Sequence, residues 1–341
     1  MRAIDQLRRS NKFRDKEPQL VAELRHSPRE HDSGFAHEPA EDELRMMLMC
    51  CHPSIPEESR IALTLKTVGG FSVEEIAHAF LARKTTIAQR LVRAKKLIRE
   101  CGIGFEADPS RIPSVLKVIY LMFNEGYSAH EGDALVRLDL CDEAIRLATL
   151  LLEWRTGNPA CHALLSLMLL QAARLPARVD ACGDIAILAE QDRSLWNQEL
   201  IARGMRHLAA SASGDEITTY HVEAAIAACH AASSSFEETD WQRIVSLYDD
   251  LLDLNPSPVA ALNRAVAVAM AQGPSSGIHA VESIAGRDSL RDYPLLYSTL
   301  GELWLRSGDR ARAAEEFSRA LELPSTMPEK RFLLRKLEAC R

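Results

Sequence analysis

The stretch that most constrains this chain lies between Ser72 and Arg99. Ser72 and Glu75 stand at the S-x-x-E spacing of a capping box, which predicts a helix starting at Val73. Ile76, Ala77 and Phe80 fall on one face of that short helix, and Leu81-Ala82-Arg83 reads as the turn after it. From Lys84 onward, Ile87, Leu91, Ala94 and Ile98 recur at i, i+4, i+7 and i+11, the buried stripe of a second helix. Roughly a third of a turn away, Thr86, Gln89, Arg90 and Arg93 make an i, i+3, i+4, i+7 set of their own. Lys84, Lys95, Lys96 and Arg99 surround that polar set, and no acid occurs between Ile76 and Arg99.

A short capped helix, a tight turn and a basic second helix suit the major groove of DNA. Arg and Gln can read base edges there, while Lys and Thr hold phosphates. The competing reading is a solvated basic face on an ordinary helix pair. That reading leaves unexplained why a chain of net charge −7 keeps this helix free of acids. The negative balance also argues against non-specific nucleic-acid binding by the whole surface, so a DNA contact must be confined to a local basic patch.

The 341 residues are enough for about two or three domains. With 47% hydrophobic and 26% charged residues, the composition is that of an ordinary globular protein, and its Ala and Leu content favours helices. No apolar run is expected to reach membrane-spanning length, and MRAIDQLRR is no signal peptide, so a cytoplasmic protein without a membrane partner is predicted. The eight cysteines are scattered without a C-x-x-C pair and fit reduced thiols. Cys50-Cys51-His52 invites a zinc reading, but adjacent cysteines poorly satisfy one tetrahedral ion, and buried small side chains are preferred.

Residues 1–16 read as a basic helix end, and 17–40, with Pro18, Pro28, Gly34 and Pro39, as a linker. Helices over 44–49 and 57–68 are expected to complete a small domain spanning 41–100. Beyond Asp108-Pro109 the pattern is helix after helix. Val115 to Phe123 is expected to end in a turn at Asn124-Glu125-Gly126-Tyr127. Asp139 to Trp154 follows, then Pro159 to Ala173, apolar all round and therefore central. Residues 174–195 read as a charged connector, followed by helices near 196–210, 218–232 and 240–253. Asp240 to Leu254, Pro258 to Gln272, Pro294 to Ser307 and Asp309 to Leu323 read as antiparallel pairs. In the last pair, Tyr297, Leu300, Gly301 and Trp304 face Ala313, Phe317, Ala320 and Pro324, close to a tetratricopeptide spacing with the proline one place early. The predicted fold is all-α: a helix-turn-helix domain followed by a tetratricopeptide-like repeat array over 101–341, clearest at 294–324.

No constellation carries catalysis. Gly69-Gly70 lacks the downstream lysine of a phosphate loop, and neither G-x-S-x-G nor H-E-x-x-H occurs. Asn124 to Tyr127 and Asp184 to Arg193 are polar enough to be sites, yet turn chemistry and buried ion pairs account for them as well. The chain is expected to be no enzyme and to need no cofactor or metal.

Several longer words carry a family likeness. They include Cys50-Cys51-His52-Pro53, Ala62-Leu63-Thr64-Leu65, Ala88-Gln89-Arg90-Leu91-Val92-Arg93-Ala94-Lys95 and Phe123-Asn124-Glu125-Gly126-Tyr127-Ser128. Others are Asp139-Leu140-Cys141, Thr239-Asp240-Trp241 and Pro256-Ser257-Pro258 with Ala261-Leu262-Asn263-Arg264. The chain resembles, over nearly its whole length, the extracytoplasmic-function sigma factors of bacterial RNA polymerase, in the subgroup with a long tetratricopeptide-like C-terminal extension. The resemblance implies transcription initiation, with 41–100 binding the promoter −35 element and the β flap of the polymerase core. It implies DNA contacts from Lys84, Thr85, Thr86, Gln89, Arg90, Arg93 and Lys96. The extension would regulate activity, with a protein or peptide docking on the array. Of the first, −10-reading domain only the last helix would remain, as Arg2 to Arg9. The alternative is a helical-repeat adaptor that docks on polymerase or another protein without reading DNA sequence.

Overall fold

The computed structural model describes residues 39–80, 82–102, 108–127, 137–154, 157–178 and 184–341. The predicted basic helix end at 1–16 and nearly all of the linker at 17–40 lie outside these residues. The chain divides into two compact units, and the described part of each is built from helices, with no β-strand among the described residues.

The first unit contains α1 (Pro39–Cys50), α2 (Glu57–Thr67), α3 (Val73–Ala79) and α4 (Lys84–Glu100), then α5 (Ile112–Tyr127) and α6 (Leu138–Trp154). α2 packs on α1, α3 and α4, so it is the centre of the small domain. Leu44 and Met46 to Met49 on α1 and Leu63 and Leu65 on α2 are buried. Burial of this apolar surface stabilises by about 25 cal/mol per Å², before chain entropy is set against it. The adjacent cysteines fill this core. The Sγ of Cys50 lies 3.1 Å from Thr67 Oγ1, and that of Cys51 lies 3.8 Å from Thr64 Oγ1. Thr67 itself donates to the Leu63 carbonyl at 2.7 Å, which leaves its oxygen to accept from Cys50. Burial pushes both thiols up to about 12. Arg146 of α6 joins the unit's first and last helices, donating to Glu43 at 3.0 Å and to Glu143 at 2.9 and 3.0 Å.

Two expectations need correcting. Asn124 to Tyr127 is not a turn: α5 continues through Tyr127, and Gly126 is buried within it. A glycine costs a helix only about 1 kcal/mol, which the packing of Val115, Ile119, Met122 and Phe123 outweighs. The second concerns length. Pro159–Ala177, a helix plus the turn after it, is long and apolar enough to cross a bilayer by length and composition.

The second unit shows where that apolarity goes. α7 (Pro159–Ala172) packs against both α8 (Gln198–Ser211) and α9 (Thr219–Ala232), and its run from Ala163 to Leu170 is wholly buried. It is the central helix that its uniform apolarity predicts. Gly204 permits the close crossing with α8: a Cβ there would meet Leu170 at 2.7 Å, and Ser166 Oγ donates to the Gly204 carbonyl at 2.8 Å. The array continues through α10 (Trp241–Leu254), α11 (Pro258–Gln272), α12 (Pro274–Glu282), α13 (Pro294–Ser307), α14 (Arg310–Leu321) and α15 (Met327–Ala339), each packed on the next. Helices α10 to α14, apart from α12, lie where periodicity put them. α12 and α15 were not predicted, although α15 has a full capping box at Thr326 and Glu329 that could have revealed it. The connector 174–195 holds two short 3₁₀ turns, Leu175–Ala177 and Arg193–Leu195.

Candidate nucleic-acid interface

The helix-turn-helix is built as its sequence dictates. Ser72 Oγ accepts from the Glu75 amide at 3.1 Å, and Glu75 Oε2 accepts from the Ser72 amide at 2.6 Å, so the capping box starts α3 at Val73. Ala82 and Arg83 lead into α4, while Leu81 lies outside the described residues. Ile87, Leu91, Ala94 and Ile98 are all buried against α2 and α3, which fixes the rotation of α4. The helix ends at Cys101, and Gly102 follows at φ +58°, where a residue without a Cβ is favoured.

That rotation decides which candidates reach solvent. Lys84, Thr85, Gln89, Arg93 and Lys96 are exposed; Thr86 and Arg90 are half-buried. The seven candidates therefore all lie off the buried stripe, but three have intramolecular partners. Lys84 pairs with Glu74 of α3, Arg90 with Glu58 in the first turn of α2, and Lys96 with Glu100 at 3.5 Å. Lys84 also draws the Glu74 carboxyl below its ordinary pKa, chiefly through their hydrogen bond. Periodicity could not find the first two pairs, because they join different helices.

Two further features mark this face. α4 begins without a side-chain cap and without an acid in its first turn, so its N-terminal amides and dipole are left to attract an anion. Val92, one turn from Gln89 and from Lys96, is 64% exposed, the most open large apolar side chain among the described residues. The sequence reading passed over it, although its place off the apolar stripe was legible. A valine there offers the apolar contact that a thymine methyl takes in the major groove.

These elements define a class. Residues 45–98, from α1 through nearly all of α4, match the family described as Sigma-70, region 4, so this part of the chain is a sigma-factor-like domain. The chain belongs to the same family as the uncharacterized protein R00370 of Rhizobium meliloti (strain 1021). The two are 39% identical over 303 residues, covering 87% of this chain and 71% of that one. Residues 111–212 match a family of unknown function, DUF6596, which spans α5 to α8 and both compact units. Among solved structures, the chain has distant similarity to TTC0263, a thermophilic TPR protein in Thermus thermophilus. That match has 18% identity and a TM-score of 0.39, and it covers 66% of this chain and 98% of that one. It is also similar to human IFIT1, solved as a dimer with PPP-AAAA, at 12% identity and a TM-score of 0.30, covering 84% of this chain and 73% of that one.

Proposed function

We propose that this protein is a non-enzymatic transcription initiation factor of the extracytoplasmic-function type, whose α4 reads a promoter −35 element. The observation that carries the reading is the two-sidedness of α4. Its apolar stripe is fully buried, and Gln89, Arg93 and Lys96 stand exposed on the other side with no acid among them. In this reading Gln89, Arg90 and Arg93 address base edges and Val92 a thymine methyl. Lys84, Thr85, Thr86 and Lys96 then hold phosphates at and beyond the helix N-terminus. The rest of the region 4 domain docks on the β flap of RNA polymerase, and the helical array, tetratricopeptide-like in its Gly301 and Phe317 seam, regulates that docking through a protein or peptide partner.

The test is binding of the full chain to duplexes carrying candidate −35 elements, followed by transcription with purified core polymerase. Sequence-selective binding that is lost on Arg93→Ala supports the reading. The adaptor alternative draws on the pairing of Arg90 with Glu58 and Lys84 with Glu74, which occupies two of the expected DNA contacts. Capture of core polymerase with no preference among duplexes would favour it.

A further inference from the structure

Around Trp196 the second unit gathers two arginines without an ion-pair partner and a buried histidine. Arg174 follows the C-terminal end of α7, Arg193 opens the short turn before Trp196, and His230 lies in the last turn of α9. The Arg193 guanidinium carbon is 4.6 Å from the Trp196 ring centre, and that of Arg174 is 5.3 Å from it. Among the described residues no carboxylate makes an ion pair with either arginine. Glu237, fully exposed, is felt by Arg193 only as a more distant charge, behind burial and Arg174. Each guanidinium thus lies against the same indole and in the field of the other.

Arg193 has a structural explanation. It donates from Nη1 to the His230 carbonyl at 2.7 Å and to the Ser233 carbonyl, and from Nη2 to Thr239 Oγ1 at 3.4 Å. It therefore caps the C-terminal end of α9, where free carbonyls and the helix dipole favour a cation. Arg174 has no such acceptor for its Nε, which is buried and unpartnered. The indole Nε1 of Trp196 is in the same condition, on a residue only 3% exposed, and so is His230 Nδ1. Two of these three atoms can only donate, and the third can donate as one tautomer. Nearby protein supplies no acceptor for them. Burial first, and then the charges of Arg174 and Arg193, depress His230, so it stays neutral near neutral pH and the positive charge of the cluster comes from the two arginines alone.

We propose that the Arg174, Trp196 and His230 cluster is a binding site for a small oxyanion, a phosphate or carboxylate group. Its oxygens accept from Arg174 Nε and Trp196 Nε1, and the two guanidinium charges hold it. A water could accept the same hydrogen bonds but could not offset the charge, and this separates the two occupants experimentally. Arg174 and Arg193 are half-buried residues, while Trp196 is buried. This site belongs to the second unit and α4 to the first, and its existence does not depend on the sigma reading.

The experiment is calorimetric titration of the full chain with inorganic phosphate and, separately, with acetate, against sodium chloride at matched ionic strength. Saturable binding of either anion is expected, together with a rise in the melting temperature. Trp196→Phe keeps the stacked ring and deletes the donor; Arg174→Gln deletes the charge. Each should weaken binding at least tenfold. Tighter phosphate binding identifies a phosphate or phosphorylated small molecule as the ligand class, and tighter acetate binding a small organic acid. Neither anion binding above the chloride control would overturn the proposal, as would unchanged affinity in a folded Trp196→Phe variant.

Discussion

Arg90 reaches across from α4 to pair with Glu58, in the first turn of α2, although periodicity places it on the free polar ridge. Its side chain is 30% exposed and that of Glu58 is 71% exposed. Glu58 therefore occupies the guanidinium with the kind of acceptor that a DNA phosphate or guanine edge would offer. An exposed pair of this kind is worth about 0.2–1 kcal/mol. Glu58→Gln should thus tighten −35 duplex binding by up to about fivefold at low salt, and the gain should shrink as salt rises. Fluorescence anisotropy at two ionic strengths checks both parts.

The ridge and the stripe of α4 should separate cleanly by mutation. Gln89→Ala and Arg93→Ala each remove an exposed group off the apolar stripe, so melting should be unchanged. Specific duplex binding should then weaken by roughly 1–3 kcal/mol, about 5- to 150-fold. Ile87→Ala, at a fully buried position, should cost about 2–5 kcal/mol of stability instead. Parallel melting and binding curves on the three variants decide the matter.

The seam between α13 and α14 is tight at one point. A Cβ on Gly301 would stand 2.7 Å from the Phe317 ring, which is fully buried beside Ala313 and Ala320. Alanine favours a helix over glycine by about 1 kcal/mol, but overpacking of a closed core costs about 1–3 kcal/mol. The clash should win because Phe317 has nowhere to turn. Gly301→Ala should lower the melting temperature, and Phe317→Leu added to it should recover part of the loss. A fully additive double mutant would show that the contact is not what limits the seam.

Stability should fall in acid through His230. Burial and its arginine neighbours hold its pKa at about 3, against an ordinary value of 6.5. Between those values the unfolded chain binds a proton that the folded chain refuses, so stability rises with pH across that window. The contribution is complete above pH 6.5 and is lost as the pH falls from there toward 3. Urea unfolding at neutral pH and at two points inside that window, in low-salt buffer, should show the decline, and His230→Gln should flatten it.

Much of this architecture was legible locally. The Ser72 and Glu75 capping box and the Ile87, Leu91, Ala94 and Ile98 stripe set the start of α3, the start of α4 and its rotation. Prolines at the first helical position announce α7, α11 and α13, where a missing amide hydrogen costs nothing. Local signals failed where a competing force ran through space. α5 runs through the polar Asn124 to Tyr127 because its apolar face is already packed. α12 begins with the same signal at Pro274, but it is only nine residues long and opens on Ser275, Ser276 and Gly277, which carry no apolar period.

What the sequence alone determined is therefore most of the helices and the face each must bury, because 3.6-residue periodicity and capping act within one turn of chain. Which charged groups meet was decided only by the tertiary structure. Glu58 and Arg90 are brought together by the crossing of α2 and α4. Arg331 and Arg335 of α15 reach Asp184, 147 and 151 residues away in sequence. Arg193 reaches the end of α9. Such contacts depend on how buried faces stack, and the packing that sets them leaves no period in the residues it joins.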